Sequence, residues 1–323
     1  MKRETKDRIK DIISVVSPKF GYRLLKNRTL KTYKVVNDLE IKPVLKREYD
    51  PAGTYVTMHD FPQKIYDRIN AERIFDENGV PLFLGKYYNA VQIAQYGLTE
   101  YGYFVHTKNE KHLANAKNAC RYFLENQEEK TGYFRYNFEF YHRATGITLN
   151  NWACAMGQGQ AASLLTRMWR IEKDDRMLEN AKNAFNMFDV PVEDGGLKAL
   201  FDGYTVFEEY PTTPASFTLN GMIFASFGLY DCMTVMRDDR ISYLWDTAVK
   251  TIEYMVPFYD GDITCSYDLS HITARVIPRV KADKYHMIHI NLLQNMQSVA
   301  PSPTYEYYIR KWAGMSGFKI KEN

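Results

Sequence analysis

Asn89-Ala-Val-Gln-Ile-Ala-Gln-Tyr-Gly-Leu98 is where the chain changes character. Val91, Ile93, Ala94 and Leu98 recur at three- and four-residue intervals, the period of an amphipathic helix. The pattern runs to about residue 107 and resumes over about 109–126. The same pairing returns three times, at about 153–171 with 174–188, 215–235 with 239–255, and 285–298 with 303–313, the last pair broken by Pro301 and Pro303. The first helices of the pairs start near 89, 153, 215 and 285. A helical hairpin repeated at such a spacing predicts a mainly α fold, a helical toroid with one ring of inner and one of outer helices. Loops that long are uncommon unless they do something. In a toroid they gather at one end of the inner ring, so the segments Phe207–Pro214 and Ser266–Tyr285 are expected to converge on one cleft.

Upstream the punctuation is different. Pro18, Gly21, Pro43, Pro51, Gly53, Pro62, Gly79 and Pro81 interrupt residues 1–85, with short alternating pieces at Lys31–Val36 and Tyr55–His59. A short helix followed by extended segments or β-hairpins is expected there. This gives two regions, 1–85 and a helical domain over 86–323. Charge divides the chain as well. Residues 1–34 carry 11 Lys/Arg against 3 Asp/Glu, leaving 31 basic against 36 acidic residues in the remainder. A basic arm of that kind suits a polyanion or an anionic membrane surface, or is simply a solvated terminus.

The composition, 45% hydrophobic, supports a full core, and its excess is aromatic: 25 Tyr, 18 Phe and 4 Trp. Phe reads as core, whereas Tyr favours half-wet walls, because its hydroxyl needs a partner. Sugar-binding clefts are built from such walls. Cys120, Cys154, Cys232 and Cys265 are scattered without CxxC spacing, which argues against a zinc ribbon or a disulfide scaffold and for a reducing compartment. No apolar run reaches transmembrane length, and residues 12–16 are too short for a signal-peptide core. A cytoplasmic location is expected.

Two segments carry candidate chemistry. The first is Phe207-Glu-Glu-Tyr-Pro-Thr-Thr-Pro-Ala-Ser-Phe-Thr-Leu-Asn-Gly221. Its prolines stiffen a loop and Ser216 or Thr213 is a candidate helix cap, but neither requirement explains Glu208 and Glu209 beside Tyr210. Adjacent carboxylates mostly mark a solvated turn; next to a tyrosine at the mouth of a toroid they also suit proton management. The second segment is Tyr267-Asp-Leu-Ser-His271 with Tyr285-His-Met-Ile-His-Ile-Asn291. His286 and His289 have the i,i+3 spacing of metal ligands, but no third ligand follows at recognisable spacing, so no metal is expected. Gly157-Gln-Gly-Gln160 lacks the GK[ST] ending of a phosphate loop and lies in a helical pattern. Its small residues suit close packing of a helix or a sugar, with Gln158 and Gln160 as amide donors.

These blocks, with Tyr87-Tyr-Asn-Ala-Val-Gln-Ile-Ala-Gln-Tyr-Gly-Leu98, Ala155-Met-Gly-Gln-Gly-Gln160 and Tyr285-His-Met-Ile-His-Ile-Asn-Leu-Leu-Gln294, resemble the C-terminal helical domain of heparan sulfate/heparosan D-glucuronyl C5-epimerases. The resemblance runs from about Tyr87 to Trp312, in the family's order and with its intervals. It implies an incomplete (α/α) toroid, a homodimer, an anionic uronate-containing polysaccharide as substrate, and no cofactor, metal or nucleic acid. On matching positions it implies Tyr210, Tyr267 and Tyr285 as catalytic residues, with Glu209 beside them. Candidate sugar contacts around them are Tyr88, Gln92, Trp152, Gln158, Gln160, Lys198, Glu208, Asn220, His271, Arg279, His286, His289 and Asn291. Ser270 stands where the family places an arginine, which leaves Arg275 or Arg279 to replace that contact with the uronate.

The reaction implied is demanding. The C5 hydrogen lies α to a carboxylate, so its removal adds charge to an anionic group that the site must first neutralise. A base on one face of the ring and an acid on the other must follow. Tyrosine, with a pKa near ~10 in water, serves as a base only if its phenolate is stabilised; His271, His286, His289 and Lys198 are the candidates for that. Three other readings share parts of the pattern. A uronate lyase takes the same proton and then expels the 4-linked sugar. A glycoside hydrolase needs two spaced carboxylates, for which Glu209 and Asp268 are the candidates. A non-catalytic glycan-binding scaffold does not need three phenols and a carboxylate.

Overall fold

A computed structural model describes residues 48–56, 70–262, 264–276 and 285–315. The basic arm, the piece Lys31–Val36 and Arg279 lie outside the described residues. Within them the chain is mainly helical: α1 (Ala90–Thr107), α2 (Glu110–Glu125), α3 (Ala155–Glu172), α4 (Asp175–Asn183), α5 (Leu219–Met233), α6 (Asp239–Met255), the short α7 (Ser270–Thr273), α8 (Tyr285–Val299) and α9 (Pro303–Met315). Three antiparallel β-hairpins accompany them: β1 (Ile74–Phe75) with β2 (Pro81–Leu82) ahead of α1, β3 (Phe140–His142) with β4 (Ile147–Leu149) between α2 and α3, and β5 (Lys198–Phe201) with β6 (Tyr204–Phe207) between α4 and α5.

The helix ends follow from local chemistry. Asn89 caps α1 by accepting from the Gln92 N–H at 3.0 Å, and Lys108 ends it in a left-handed conformation. Asn109, Asp174 and Asp238 cap α2, α4 and α6 in the same manner. A thiol does this for α3, where Cys154 Sγ accepts from Gly157 N–H at 3.1 Å. The cap expected for α5 differs: Thr218 occupies that position and makes no side-chain cap bond. Ser216 instead donates to Glu208 at 3.1 Å, and Thr213 points toward Glu193.

Each pair packs as a hairpin, α1 on α2, α3 on α4, α5 on α6 and α8 on α9, and the first members pack in a row: α1 on α3, α3 on α5, α5 on α8. Glycine sets the tightest of these contacts. A Cβ on Gly159 would sit 2.4 Å from Ala225 Cα, and one on Gly228 would sit 2.6 Å from Gly159 Cα, so α3 and α5 touch backbone to backbone. This explains Gly159 in Gly157-Gln-Gly-Gln160, whereas Gly157 leaves room for the Tyr136 hydroxyl and Ala90 of α1.

Residues 189–214, read from sequence as a loop, contain β5–β6, and the aromatic loop after Gly132 runs into β3–β4. The reason is turn chemistry. Asp202 and Gly203 take φ of 49° and 82°, the Asp-Gly pattern of a two-residue hairpin turn.

Residues 48–56 pack across the row. Tyr49 and Tyr55 are buried, with Tyr49 against Phe227 and Tyr55 stacked on Phe224. Arg167 of α3, fully buried, pairs with Asp231 of α5 at 2.5 Å and donates to the carbonyls of Asp50 and Gly53 at 3.2 and 3.1 Å. Tyr49 donates to the same Asp231 carboxylate at 2.8 Å. All four cysteines are buried and free, and no helix among the described residues is long and apolar enough to cross a membrane.

Candidate active site

The expected convergence of two loops is present. The segment 215–219 is tied to 267–273 by Leu269 N–H to Ser216 O (3.0 Å), Leu219 N–H to Tyr267 O (3.4 Å) and Thr273 Oγ1 to Ala215 O (2.6 Å). This brings the start of α5, the Tyr267 segment and the start of α8 together. The Tyr210 and Tyr267 hydroxyls lie 3.4 Å apart, and the Tyr267 and Tyr285 rings meet edge to face at 4.5 Å. Glu209 is buried over the first turn of α5, where Asn220 Nδ2 donates to it at 3.3 Å. A Cβ on Gly221 would lie 2.5 Å from Glu209 Oε2, so the absence of a side chain there makes room for the carboxylate. Tyr210 hydrogen-bonds Glu209 as well.

Burial pushes the Tyr210 and Tyr267 phenols well above their usual range, and the Glu209 charge pushes the same way. Both are therefore neutral acids near pH 7, able to donate a proton. The sequence offered His271, His286, His289 and Lys198 as cations or donors to stabilise a phenolate, and the structure removes the cationic option for two of them. Burial pulls His271 and His286 below the usual histidine range, so neither is a cation at neutral pH. His286 Nε2–H donates to Trp312 O at 2.9 Å while its Nδ1 accepts from Cys265 N–H at 3.1 Å, and His289 Nδ1 meets Cys265 Sγ at 3.2 Å. These two histidines tie α8 to α9 and to the Cys265 segment.

Other candidates are placed elsewhere or engaged otherwise. Glu208 turns inward, accepting from Phe217 N–H at 3.0 Å and Ser216 Oγ at 3.1 Å, and burial pushes its carboxyl up to about 8. It holds the loop, with Phe217 at a φ of 51°. Gln158 spends both amide ends on backbone, accepting from Phe134 N–H and donating to Gly132 O and Ala184 O. Tyr88 donates to Asp76 at 2.9 Å, on the side of the first β-hairpin, and Asn291 faces Val56 O. Gln160 is buried beside the Tyr55 hydroxyl. Gln92 Oε1 and His271 Nδ1 are buried without a hydrogen-bond partner among the described residues. Lys198 lies on β5 opposite Phe207, and Arg275 is exposed.

Among the partners of Tyr210, sequence reasoning named Trp152 and missed Phe140 and His142. The Tyr210 ring stacks on Phe140 at 5.1 Å and on His142 at 4.8 Å, and meets Trp152 at 6.1 Å. Trp152 in turn contacts Tyr136 at 4.3 Å. Part of the signal was available: Tyr136, Phe138 and Phe140 alternate with Asn137 and Glu139 just ahead of and into β3, a period-two aromatic pattern.

Comparison with known proteins gives a consistent picture. A family model described as D-glucuronyl C5-epimerase C-terminus matches residues 127–314. A D-glucuronyl C5-epimerase of Caenorhabditis elegans is 31% identical over 185 residues, covering 53% of this chain and 30% of the relative. An uncharacterised protein of Methanocaldococcus jannaschii is 30% identical over 188 residues, covering 55% of this chain and 56% of its own length. The chain thus spans less than two thirds of either relative.

Proposed function

The chain belongs to the D-glucuronyl C5-epimerase family through its C-terminal region, and from that premise we propose that it inverts C5 of glucuronate residues within a heparosan-like polysaccharide. One observation carries the reading: three phenols and a carboxylate, from segments 209–210, 267 and 285, meet in one cluster. The row α1, α3, α5 and α8, each backed by its hairpin partner, is in this reading the inner ring of an incomplete (α/α) toroid, and the chain acts as a homodimer.

The chemistry begins with the Tyr210–Glu209 hydrogen bond. A phenol held above its usual range is a poor base on its own, but one that passes its proton to Glu209 as it takes another is not. Tyr210 or Tyr267 removes the C5 proton in this way, leaving an enolate-like carboxylate. Reprotonation from the opposite face by a neutral phenol completes the inversion. Because the Tyr267 and Tyr285 rings touch, their hydroxyl ends, not their faces, address the two sides of the sugar. Asn220 and a basic side chain hold the uronate carboxylate, with Arg279 and Lys198 as candidates for the cation.

The test is incubation with heparosan in deuterated water. Deuterium at C5 together with iduronate, read by NMR, is the expected result. A 4,5-unsaturated uronate absorbance without iduronate would replace epimerisation by elimination, and the absence of any exchange would overturn the reading.

A further inference from the structure

The aromatic surface around Tyr210 does not end at the phenol cluster. From Tyr210 a path of neighbouring rings runs through Phe140 (5.1 Å), Trp152 (5.6 Å) and Phe138 (6.2 Å) to Tyr87 (5.5 Å), and Phe138 also meets Phe83 at 5.1 Å. Trp152 is buried, whereas Tyr210, Phe140, Phe138, Tyr87 and Phe83 are all partly exposed. The far end is held rigidly. Phe83 and Tyr87 exchange backbone hydrogen bonds across a tight turn, at 2.7 and 3.0 Å, with Leu84 and Gly85 in left-handed conformations. Tyr88 N–H donates to Asn137 Oδ1 at 3.1 Å and fixes that turn against the bend at Asn137 and Phe138. Lys86, exposed at the turn, places its ammonium 4.5 Å from the Tyr87 ring centre. Glu139, between Phe138 and Phe140 and just ahead of β3, is exposed too.

We propose that Phe83, Lys86, Tyr87, Phe138 and Phe140 form a track that carries the sugars flanking the reacting unit of an anionic polysaccharide, with Lys86 pairing a uronate carboxylate along it. The inference rests on the polysaccharide reading above and adds where the polymer runs. Three physical facts carry it. Partly exposed aromatic faces in sequence match the apolar faces of successive pyranose rings. The path reaches the phenol cluster through the buried Trp152 that backs Phe138 and Phe140, so a polymer threaded through that cluster has to lie along some wall leaving it, and this one is preformed. The exposed cation at the outer end complements a polymer that carries one carboxylate per uronate. Phe83 and Lys86, at the outer end, precede both the stretch 127–314 that matches the family model and the motif block that starts at Tyr87, so this part of the track is supplied by the chain's own preceding segment.

Binding of heparosan oligosaccharides to the full chain tests the track by calorimetry. Wild type is expected to bind a dodecasaccharide more tightly than a tetrasaccharide. Tyr87→Ala and Lys86→Ala are expected to shrink that advantage by about tenfold, the scale of one lost aromatic or cation contact near a surface. The Lys86 variant should also lose part of the salt dependence of dodecasaccharide binding. Both residues are partly or largely exposed, so the melting temperature checks that each variant is folded, and Lys86→Glu provides a second variant that cannot act through packing. An unchanged length advantage in all three variants overturns the track, as does a wild-type chain that shows no preference for the longer ligand. Deuterium exchange at C5 reads the reaction separately. A chain that binds by length through Tyr87 but exchanges no deuterium keeps the track and loses the epimerase reading.

Discussion

At the scale of single residues, two carboxylates adjacent in sequence are set to opposite tasks by the direction each side chain takes. Glu209 lies over Gly221 and bonds Tyr210 and Asn220. Glu208 faces the other way and receives Phe217 N–H and Ser216 Oγ. Burial holds the Glu208 carboxyl near 8 in the folded chain, against an ordinary unfolded value near ~4.3. The folded state therefore binds the proton more tightly. The stabilisation this confers is complete below the unfolded value and is lost as pH rises through 8. Melting temperatures measured from pH 5 to 9 should fall with pH in the wild type, and Glu208→Gln, which mimics the protonated carboxyl, should flatten the decline. The phenols make a different prediction. Tyr210→Phe, Tyr267→Phe and Tyr285→Phe each remove one hydroxyl and keep the ring contacts, so melting temperature should barely move. C5 exchange should drop by about 10²–10⁴-fold, the scale of a lost general acid or base. Full activity in both Tyr267→Phe and Tyr285→Phe would shift the chemistry to Glu209 and its remaining neighbours.

At the scale of elements, the site depends on how closely α3 and α5 approach. Gly159 and Gly228 allow backbone contact, and the same approach sets Met156 of α3 against Asn220 of α5 at 3.8 Å, beside Glu209. Gly159→Ala places a methyl where Ala225 backbone already lies and is expected to cost about 1–3 kcal/mol through overpacking. Urea denaturation measures that loss. Because the helices part at the level of the carboxylate, C5 exchange should fall by more than the unfolded fraction accounts for. Helix existence was legible in the sequence because periodicity and caps are local properties. Asn89, Asn109, Asp174 and Asp238 stand where caps were needed. The β5–β6 hairpin was legible too, in Asp202-Gly203, but the longer helical pattern around it drew the reading toward a loop.

At the scale of the whole molecule, a buried ion pair joins a distant segment to the helical row. Arg167 and Asp231 are fully buried, and the guanidinium also binds the carbonyls of Asp50 and Gly53. Removing one partner of a buried pair leaves an uncompensated charge, typically at a cost of about 3–5 kcal/mol. Arg167→Ala should therefore be strongly destabilised, and Arg167→Met combined with Asp231→Leu should recover much of the loss. Chemical denaturation of the two variants checks this, and equal stability of both would show that the pair's charge is not what holds residues 48–56 in place.

The sequence by itself determined the helical hairpins, their boundaries to within a few residues, and the family, because periodicity, capping and ordered motif blocks are all written along the chain. It also marked the three tyrosines and Glu209 as a group. Only the tertiary structure decided which polar residues are free to meet a ligand. Gln158, His286, His289 and Glu208 have the right chemistry for a sugar site, yet packing commits each to backbone or thiol partners. The wall of Phe140 and His142 against Tyr210 arises from a strand pair and a loop that lie about seventy residues apart in the chain. Residue type and spacing specify what a side chain can do. Whether its hydrogen bonds are already spent depends on neighbours brought in from elsewhere in the chain, and only folding supplies those.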